Sequence, residues 1–141
     1  NDFVLTALTK GEITIFEKHF KRNYIHIMDV ARCFEYCIQN YDKMKGKPYN
    51  LGLDNANLSK QELAEKVKSF VPNFKINYDE FGKDVDKRNY IVSNERILST
   101  GFNTQFSIED GINELIKGYN ILLINNAPNQ LREFPYTNNL K

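Results

Sequence analysis

The chemistry that this sequence offers most clearly is phosphate binding, by Arg22 and Tyr24. A planar guanidinium can hold two phosphate oxygens at once, and we expect Arg22 to stand just before a short strand. Tyr24 follows two residues later, so it faces the same side of an extended chain and offers a hydroxyl to a sugar. The same spacing also fits a surface arginine beside a half-buried tyrosine, and spacing alone favours that plainer interpretation.

Other patterns of reactive residues are weaker. The glycines never reach the G-x-G-x-x-G or G-x-x-x-x-G-K spacing of phosphate-binding loops, and H-E-x-x-H and C-x-x-C are missing. Cys33 and Cys37 lie one helical turn apart, where apolar packing is the ordinary role of free cysteines and a soft-metal site is the alternative. Tyr41 and Lys45 have the Y-x-x-x-K spacing of a proton-transfer pair, but a chain rich in both residues matches it by chance. The sequence therefore predicts no catalytic residue and no metal site.

Composition limits the classes of function. The 141 residues carry 19 Lys+Arg against 18 Asp+Glu, so bulk electrostatics cannot hold the chain on nucleic acid. Basic and aromatic residues alternate over 18–24, as in proteins that bind single-stranded nucleic acid, but the balanced charge disfavours that function. No run approaches the ~20 apolar residues of a membrane span. Two cysteines cannot build a disulfide framework, so we expect a cytoplasmic protein with neither a membrane nor a nucleic-acid partner.

Helical and strand periodicities alternate along the first half of the chain and predict a mixed α/β fold. A helix over residues 3–8 ends at Gly11, and residues 13–16 form a strand. Residues 24–27 are predicted to form a second short strand, and Asp29 to cap the next helix. That helix is predicted to bury one apolar stripe, formed by Val30, Phe34, Cys37, Ile38 and Tyr41.

The second half continues the alternation. Residues 47–51 and 74–78 are predicted to be strands. Two helices begin with a hydroxyl and a carboxyl at capping-box spacing, Ser59 with Glu62 and Ser107 with Asp110. The strands are too short for a full sheet of their own.

Residues 22–32, RNYIHIMDVAR, resemble the R-[DN]-[FY]-[IV]-H-V-x-D-[VL]-A signature of extended short-chain dehydrogenases, the NAD-dependent nucleotide-sugar epimerases and dehydratases. Further segments agree with this family in order and spacing. NDFVLTALTKGEITIF is similar to a helix and strand along its nucleotide site, KPYNLG to a later strand and NLSKQELAEKV to the helix after it. KRNYIVSNERILSTGF and SIEDGINELI are similar to its late R-x-Y segment and closing helix.

The resemblance implies the C-terminal, substrate-binding portion of such an enzyme, part of a Rossmann-type α/β fold without its dinucleotide-binding half. That missing half would bind NAD and carry the Gly-rich loop and the catalytic Ser/Tyr/Lys set, so this chain alone is expected to be inactive. The implied substrate is a nucleotide diphosphate sugar, and a homodimer of the full-length enzyme is left open. Five residues match substrate-contacting positions of the family: Arg22 and Arg88 for the diphosphate, Tyr24 for the sugar nucleotide, Asn1 for a phosphate and Phe16 for the base.

Two domain-level expectations follow from this resemblance. Residues 1–124 form the substrate-binding portion and 125–141 a C-terminal arm or tail, and a start at Asn1 within a helical pattern suggests a fragment. Many members have a Gly-rich loop where this chain has residues 17–20, so the base stays open, as does the choice between an epimerase (an isomerase) and a dehydratase (a lyase). His26 and Asp29 are expected to be structural. The alternative function is a non-catalytic α/β module that binds a nucleotide or a protein.

Overall fold

Residues 1–81 and 88–124 are described by the computed structural model, and they form the expected mixed α/β fold. The tail predicted over 125–141 lies outside the described residues. The first elements are α1 (Asp2–Thr9), β1 (Glu12–Phe16), β2 (Lys21–Asn23), α2 (Ile27–Gln39) and α3 (Tyr41–Met44). A 3₁₀ turn (Asp54–Ala56) leads to β3 (Asn57–Ser59), α4 (Lys60–Phe70), β4 (Lys75–Asp79), α5 (Glu95–Leu98) and α6 (Ile108–Ile124).

The described strands pair two by two. β1 and β4 lie parallel, with Ile13 opposite Ile76, and the chain between them supplies the long crossover that a parallel pair requires. β2 and β3 lie antiparallel, with Arg22 opposite Leu58. The small β2–β3 sheet therefore places Arg22 directly beside the start of α4.

Two apolar clusters hold the helices on these strands. The first lies among α1, α4, α6 and the start of β4, with Val4, Ala7, Val67, Phe74 and Ile112 buried. The second lies under α2, with Cys33, Met44, Ile97 and Phe102 buried. Burial and the adjacent Cys37 thiol raise the pKa of Cys33 to about 11, so this thiol stays protonated and packs as an apolar group. Within the described ranges, no three His, Cys, Asp or Glu side chains are grouped to hold a metal.

The start of α2 corrects two sequence predictions. The strand predicted at 24–27 is wrong, because the backbone that pairs with β3 lies at Lys21–Asn23 and α2 already begins at Ile27. Arg22 accordingly lies at the centre of a strand instead of before one. The N-cap is His26, whose Nδ1 accepts a hydrogen bond from the Met28 N–H at 3.2 Å. An imidazole nitrogen thus takes the place of the carboxylate that the sequence suggested.

Asp29, the predicted cap, is instead a fully buried side chain in the first turn of α2. Its two carboxylate oxygens accept hydrogen bonds from the backbone N–H groups of Gln105 and Phe106 at 3.0–3.1 Å. The guanidinium of Arg32 pairs with the same carboxylate. Asp29 therefore fastens α2 to the segment that precedes α6. This role is structural, as expected, but it differs from the helix capping that the sequence predicted.

The stripe predicted to be buried on α2 is also wrong. Phe34, Ile38 and Tyr41 are 69%, 76% and 64% exposed, whereas Cys33 lies on the buried side. Residues 47–51 form no ladder, so the strand predicted there is absent from the described structure. A helix face and an extended segment become buried only when a partner covers them, and the described residues supply none at these two places.

Local signals in the sequence are confirmed elsewhere. α1, β1 and β4 fall within one or two residues of their predicted bounds. Both capping boxes form: the Glu62 N–H donates to Ser59 Oγ at 3.1 Å, and the Asp110 N–H donates to Ser107 Oγ at the same distance. The reciprocal bonds from the two serines lower the pKa of each carboxyl. Among the described helices, none combines the length and apolarity needed to cross a membrane.

Gly52 provides a test of this packing. A Cβ there would lie 1.5 Å from Oδ1 of Asn23, whose amide is held by a 2.7 Å bond to the Leu53 carbonyl. We expect Gly52→Ala to lower the free energy of unfolding by about 1–3 kcal/mol in chemical denaturation. Gly118→Ala, where a Cβ meets nothing within 4 Å, is the control and should be neutral or stabilising by up to about 1 kcal/mol. Equal losses in the two variants would contradict the contact.

Asp29 provides a second test. Asp29→Asn replaces an accepting oxygen by an NH₂ group that faces backbone donors, so we expect a loss of about 1.5–3 kcal/mol in the free energy of unfolding. Asp42→Asn is the matched control, because Asp42 is 89% exposed and pairs only at the surface with Lys45. Denaturant titration of both variants decides the matter. A change as small as that of the control would show that the buried carboxylate does not hold α2 in place.

Candidate functional site

A corner of the structure forms where residues 88–92 run along the β2–β3 sheet. The backbone N–H of Lys21 donates to the side-chain oxygen of Asn89 at 3.0 Å. The backbone N–H of Tyr90 donates to the Lys21 carbonyl at 3.4 Å. This late segment is therefore fastened to β2, although Lys21 and Asn89 are 68 positions apart in the sequence.

The other strand of the sheet holds the same segment through a side chain. The amide of Asn57 in β3 accepts from the Val92 N–H at 2.9 Å and donates to the Val92 carbonyl at 3.0 Å. A carboxamide here makes the two hydrogen bonds that a neighbouring peptide group would make in a ladder. The segment is thus fixed in an extended form without being a strand.

Arg22, Tyr24 and Tyr90 are neighbours at this corner. The guanidinium carbon of Arg22 lies 5.3 Å from the centre of the Tyr90 ring, and its Nη1 donates to the Lys21 carbonyl at 2.8 Å. Burial raises the pKa of the Tyr24 hydroxyl, while the Arg22 charge lowers it and Tyr90 raises it. Tyr24 therefore stays protonated at neutral pH and can donate a hydrogen bond.

Arg88 lies at the same corner, because it directly precedes Asn89, which is bonded to β2. Its side chain is exposed, whereas that of Arg22 is half-buried. The structure thus brings Arg22, Tyr24 and Arg88 into one region. Guanidinium and phenol groups supply positive charge and hydrogen-bond donors, which is the chemistry of an anion-binding site.

Phe16 and Asn1 lie apart from this cluster. The Phe16 carbonyl, at the end of β1, accepts from Lys60 Nζ at 3.0 Å, so Phe16 borders the beginning of α4. Asn1 occupies the N-cap position of α1 without a side-chain capping bond. Of the two, Asn1 is connected to Tyr24 by a shared cavity.

That cavity has a volume of about 680 Å³ and lies among α1, α4, α6 and the residues before α2. Asn1 and Tyr24 both line it, although most of the wall is aliphatic or aromatic. His26 and Glu114 add a polar pair on one side, with Nε2 and Oε2 2.7 Å apart. Because Nδ1 of His26 accepts the capping bond from Met28, the ring proton lies on Nε2 and faces Glu114.

Sequence reasoning missed Tyr90, Asn57 and the His26–Glu114 pair. Tyr90 carried a usable signal, since it is an aromatic residue two positions after Arg88 in the R-x-Y segment. Glu114 carried none, because 88 residues separate it from His26. Contacts over such distances depend on the tertiary fold and not on local spacing.

No protein-family model matches this sequence. Solved structures nevertheless share its fold. A GDP-6-OMe-4-keto-L-xylo-heptose reductase from Campylobacter jejuni is 24% identical with a TM-score of 0.66, over 79% of this chain and 34% of that one. A dTDP-glucose 4,6-dehydratase from Bacillus anthracis in complex with NAD is 20% identical with a TM-score of 0.63, over 84% and 37%. An L-threonine dehydrogenase from Phytophthora infestans is 12% identical with a TM-score of 0.71, over 84% and 40%.

These likenesses confirm the α/β fold that the resemblance implied, which this chain shares with part of each of the three structures. Nucleotide-sugar reductases and dehydratases occur among the similar structures, and NAD is bound in one of them. The third is named for L-threonine, so the fold by itself assigns no substrate. This chain spans only 34–40% of the length of the three chains.

Proposed function

We propose that this chain is the substrate-binding portion of an NAD(P)-dependent enzyme that acts on a nucleotide sugar. The observation that carries the proposal is the meeting at one corner of the fold of Arg22 and Tyr24, from one motif, with Arg88, from a second motif far along the chain. A guanidinium beside a protonated phenol suits a diphosphate flanked by sugar hydroxyls. The similar nucleotide-sugar reductase and dehydratase support the same substrate class.

Each residue has a distinct role in this proposal. Arg22 and Arg88 bind the diphosphate, and Tyr24 donates its hydroxyl to the sugar nucleotide. Asn1, which lines the same cavity as Tyr24, reaches a phosphate, and Phe16 borders the base. The contribution of the chain is positioning, since a fixed diphosphate presents one carbon of the hexose to the reacting groups.

Among the described residues, the turn that follows β1 does not fit a dinucleotide. β1 leads through the short turn 17–20 into β2, whereas a dinucleotide needs a glycine-rich turn into a helix whose N-terminus faces the pyrophosphate. Glu17 also places a carboxyl-bearing side chain at the start of that turn. We therefore assign NAD(P) to a portion outside this chain, and we expect no turnover from the chain alone.

Arg22 gives the direct test in the complete enzyme that contains this chain. Arg22→Ala removes a charge-assisted donor from the diphosphate, so KM for UDP-, GDP- or dTDP-sugars should rise by about ten- to a hundredfold. Arg22→Lys should recover only part of this, because an ammonium cannot reproduce the planar fork. Steady-state kinetics over the three nucleotide sugars measure the effect.

Arg96→Ala is the matched control, since Arg96 is exposed on α5 and donates to the Pro48 carbonyl. It should leave KM unchanged. An unchanged KM together with a lower melting temperature in Arg22→Ala would mean that Arg22 is only a structural residue. Equal losses of NAD(P) and nucleotide-sugar binding would indicate a folding defect. If the protein that contains this chain binds nucleotide sugars but turns none of them over, the alternative of a non-catalytic module is favoured.

α2 supplies a surface for the portion outside this chain. We define the α2 face as the exposed apolar residues Ile27, Ala31, Phe34 and Ile38 of α2, together with Tyr41 at the start of α3. Their spacing of four and three places them in one stripe, as in helices that pack against a partner. Soluble proteins rarely leave such a stripe in water. Because this chain spans 34–40% of the similar structures, we propose that the dinucleotide-binding portion covers the α2 face.

Adjacent positions on α2 test this interface. Ile38→Lys places a charge on the α2 face, so it should abolish association with a separately produced dinucleotide-binding portion without lowering the stability of the chain. Gln39→Lys adds the same charge on a neighbouring side of the helix and should leave association intact. Sedimentation velocity of the mixtures measures both. The chain could instead form a dimer through the α2 face. If Ile38→Lys abolishes that dimer but not association with the dinucleotide-binding portion, a second copy of the chain covers this face.

A further inference from the structure

We propose that Tyr90 is a positioning residue that holds the Arg22 guanidinium in place for an anionic ligand. This inference rests on the proposed function and names a residue of the same site that the sequence did not single out. It concerns how the arginine is oriented and assigns Tyr90 no bond to the ligand.

The contacts of Arg22 fix it relative to the Tyr90 ring. The guanidinium carbon lies 5.3 Å from the ring centre, within the range of a cation–π contact. The Lys21 carbonyl accepts both the Arg22 Nη1 bond, at 2.8 Å, and the Tyr90 backbone N–H bond, at 3.4 Å. One oxygen therefore sets the position of the cation and of the ring together.

The backbone that carries Tyr90 is fastened on both sides. Asn89 bonds to the Lys21 N–H on one side, and Val92 bonds twice to the Asn57 amide on the other. The ring is 41% exposed and belongs to neither buried apolar cluster. Filling the core therefore does not account for an aromatic residue held this firmly at the edge of the site.

The geometry of a guanidinium explains why such a ring helps. A guanidinium that stacks on an aromatic ring uses its flat face for that contact, whereas a phosphate binds to the N–H groups along its edge. Tyr90 therefore restricts the plane of Arg22 without competing with a phosphate for donors. A long, flexible side chain that is oriented before binding loses less entropy when the ligand arrives.

The test compares Tyr90→Phe and Tyr90→Leu in the full 141-residue chain, with GDP, dTDP and inorganic pyrophosphate as probes. Tyr90→Phe keeps the ring face and should retain affinity. Tyr90→Leu keeps apolar bulk but loses the ring, so calorimetric Kd values should rise by about three- to tenfold. In an Arg22→Gln background, Tyr90→Leu should have no further effect. An equal effect in both backgrounds, or none in the wild-type background, would overturn the proposal.

A spectroscopic measurement without ligand separates this proposal from the proposed function. Ring shielding of the Arg22 Cδ protons in NMR spectra should persist in Tyr90→Phe and disappear in Tyr90→Leu, and unchanged shifts in both variants would overturn the contact. A wild-type chain that binds none of the three probes would overturn the proposed function and with it the ligand role of Tyr90. Binding that is lost in Arg22→Gln but unaffected in Tyr90→Leu would overturn the role of Tyr90 alone.

Discussion

The arrangement of the helices depends on one buried carboxylate, that of Asp29. A charge removed from water must be compensated, and this one is matched by Arg32 and by two backbone N–H groups of the segment before α6. That segment carries Phe106, whose ring stacks on His26 with centroids 4.5 Å apart. His26 in turn caps α2 and pairs with Glu114 of α6.

The same set of contacts positions the candidate site. Tyr24 lies two residues before His26, and its N–H donates to the Ala56 carbonyl at 3.1 Å. The chain is therefore fixed on both sides of Tyr24, by the β2–β3 sheet before it and by the α2 cap after it. A phenol held in this way offers its hydroxyl in one place, which a binding site for a polar ligand requires.

How much of the fold and of the candidate site could be predicted from the sequence depends on how far apart in the chain the interacting residues lie. Local features could be predicted because they depend on residues only a few positions apart. They include the capping boxes at Ser59 and Ser107 and the periodic helices α1 and α4. β2 was misplaced because three residues show no alternation, and its bounds are set by a partner 36 residues away. The α2 stripe has a clear period, but periodicity identifies an apolar face and not what covers it. The motifs indicated Arg22 and Tyr24, whereas their meeting with Arg88 required the fold.

The attachment of residues 88–92 to the β2–β3 sheet has a consequence for how such sites diversify. Two asparagine side chains, Asn57 and Asn89, make most of the bonds that a main-chain ladder would otherwise make. A main-chain ladder survives most substitutions, whereas a carboxamide link is created or removed by exchanging a single residue. The segment that carries Arg88 and Tyr90 can therefore be re-attached in another register during evolution while the sheet stays intact. In the proposed site, the position of Arg88 and Tyr90 can thus change without a loss of the β2–β3 pairing.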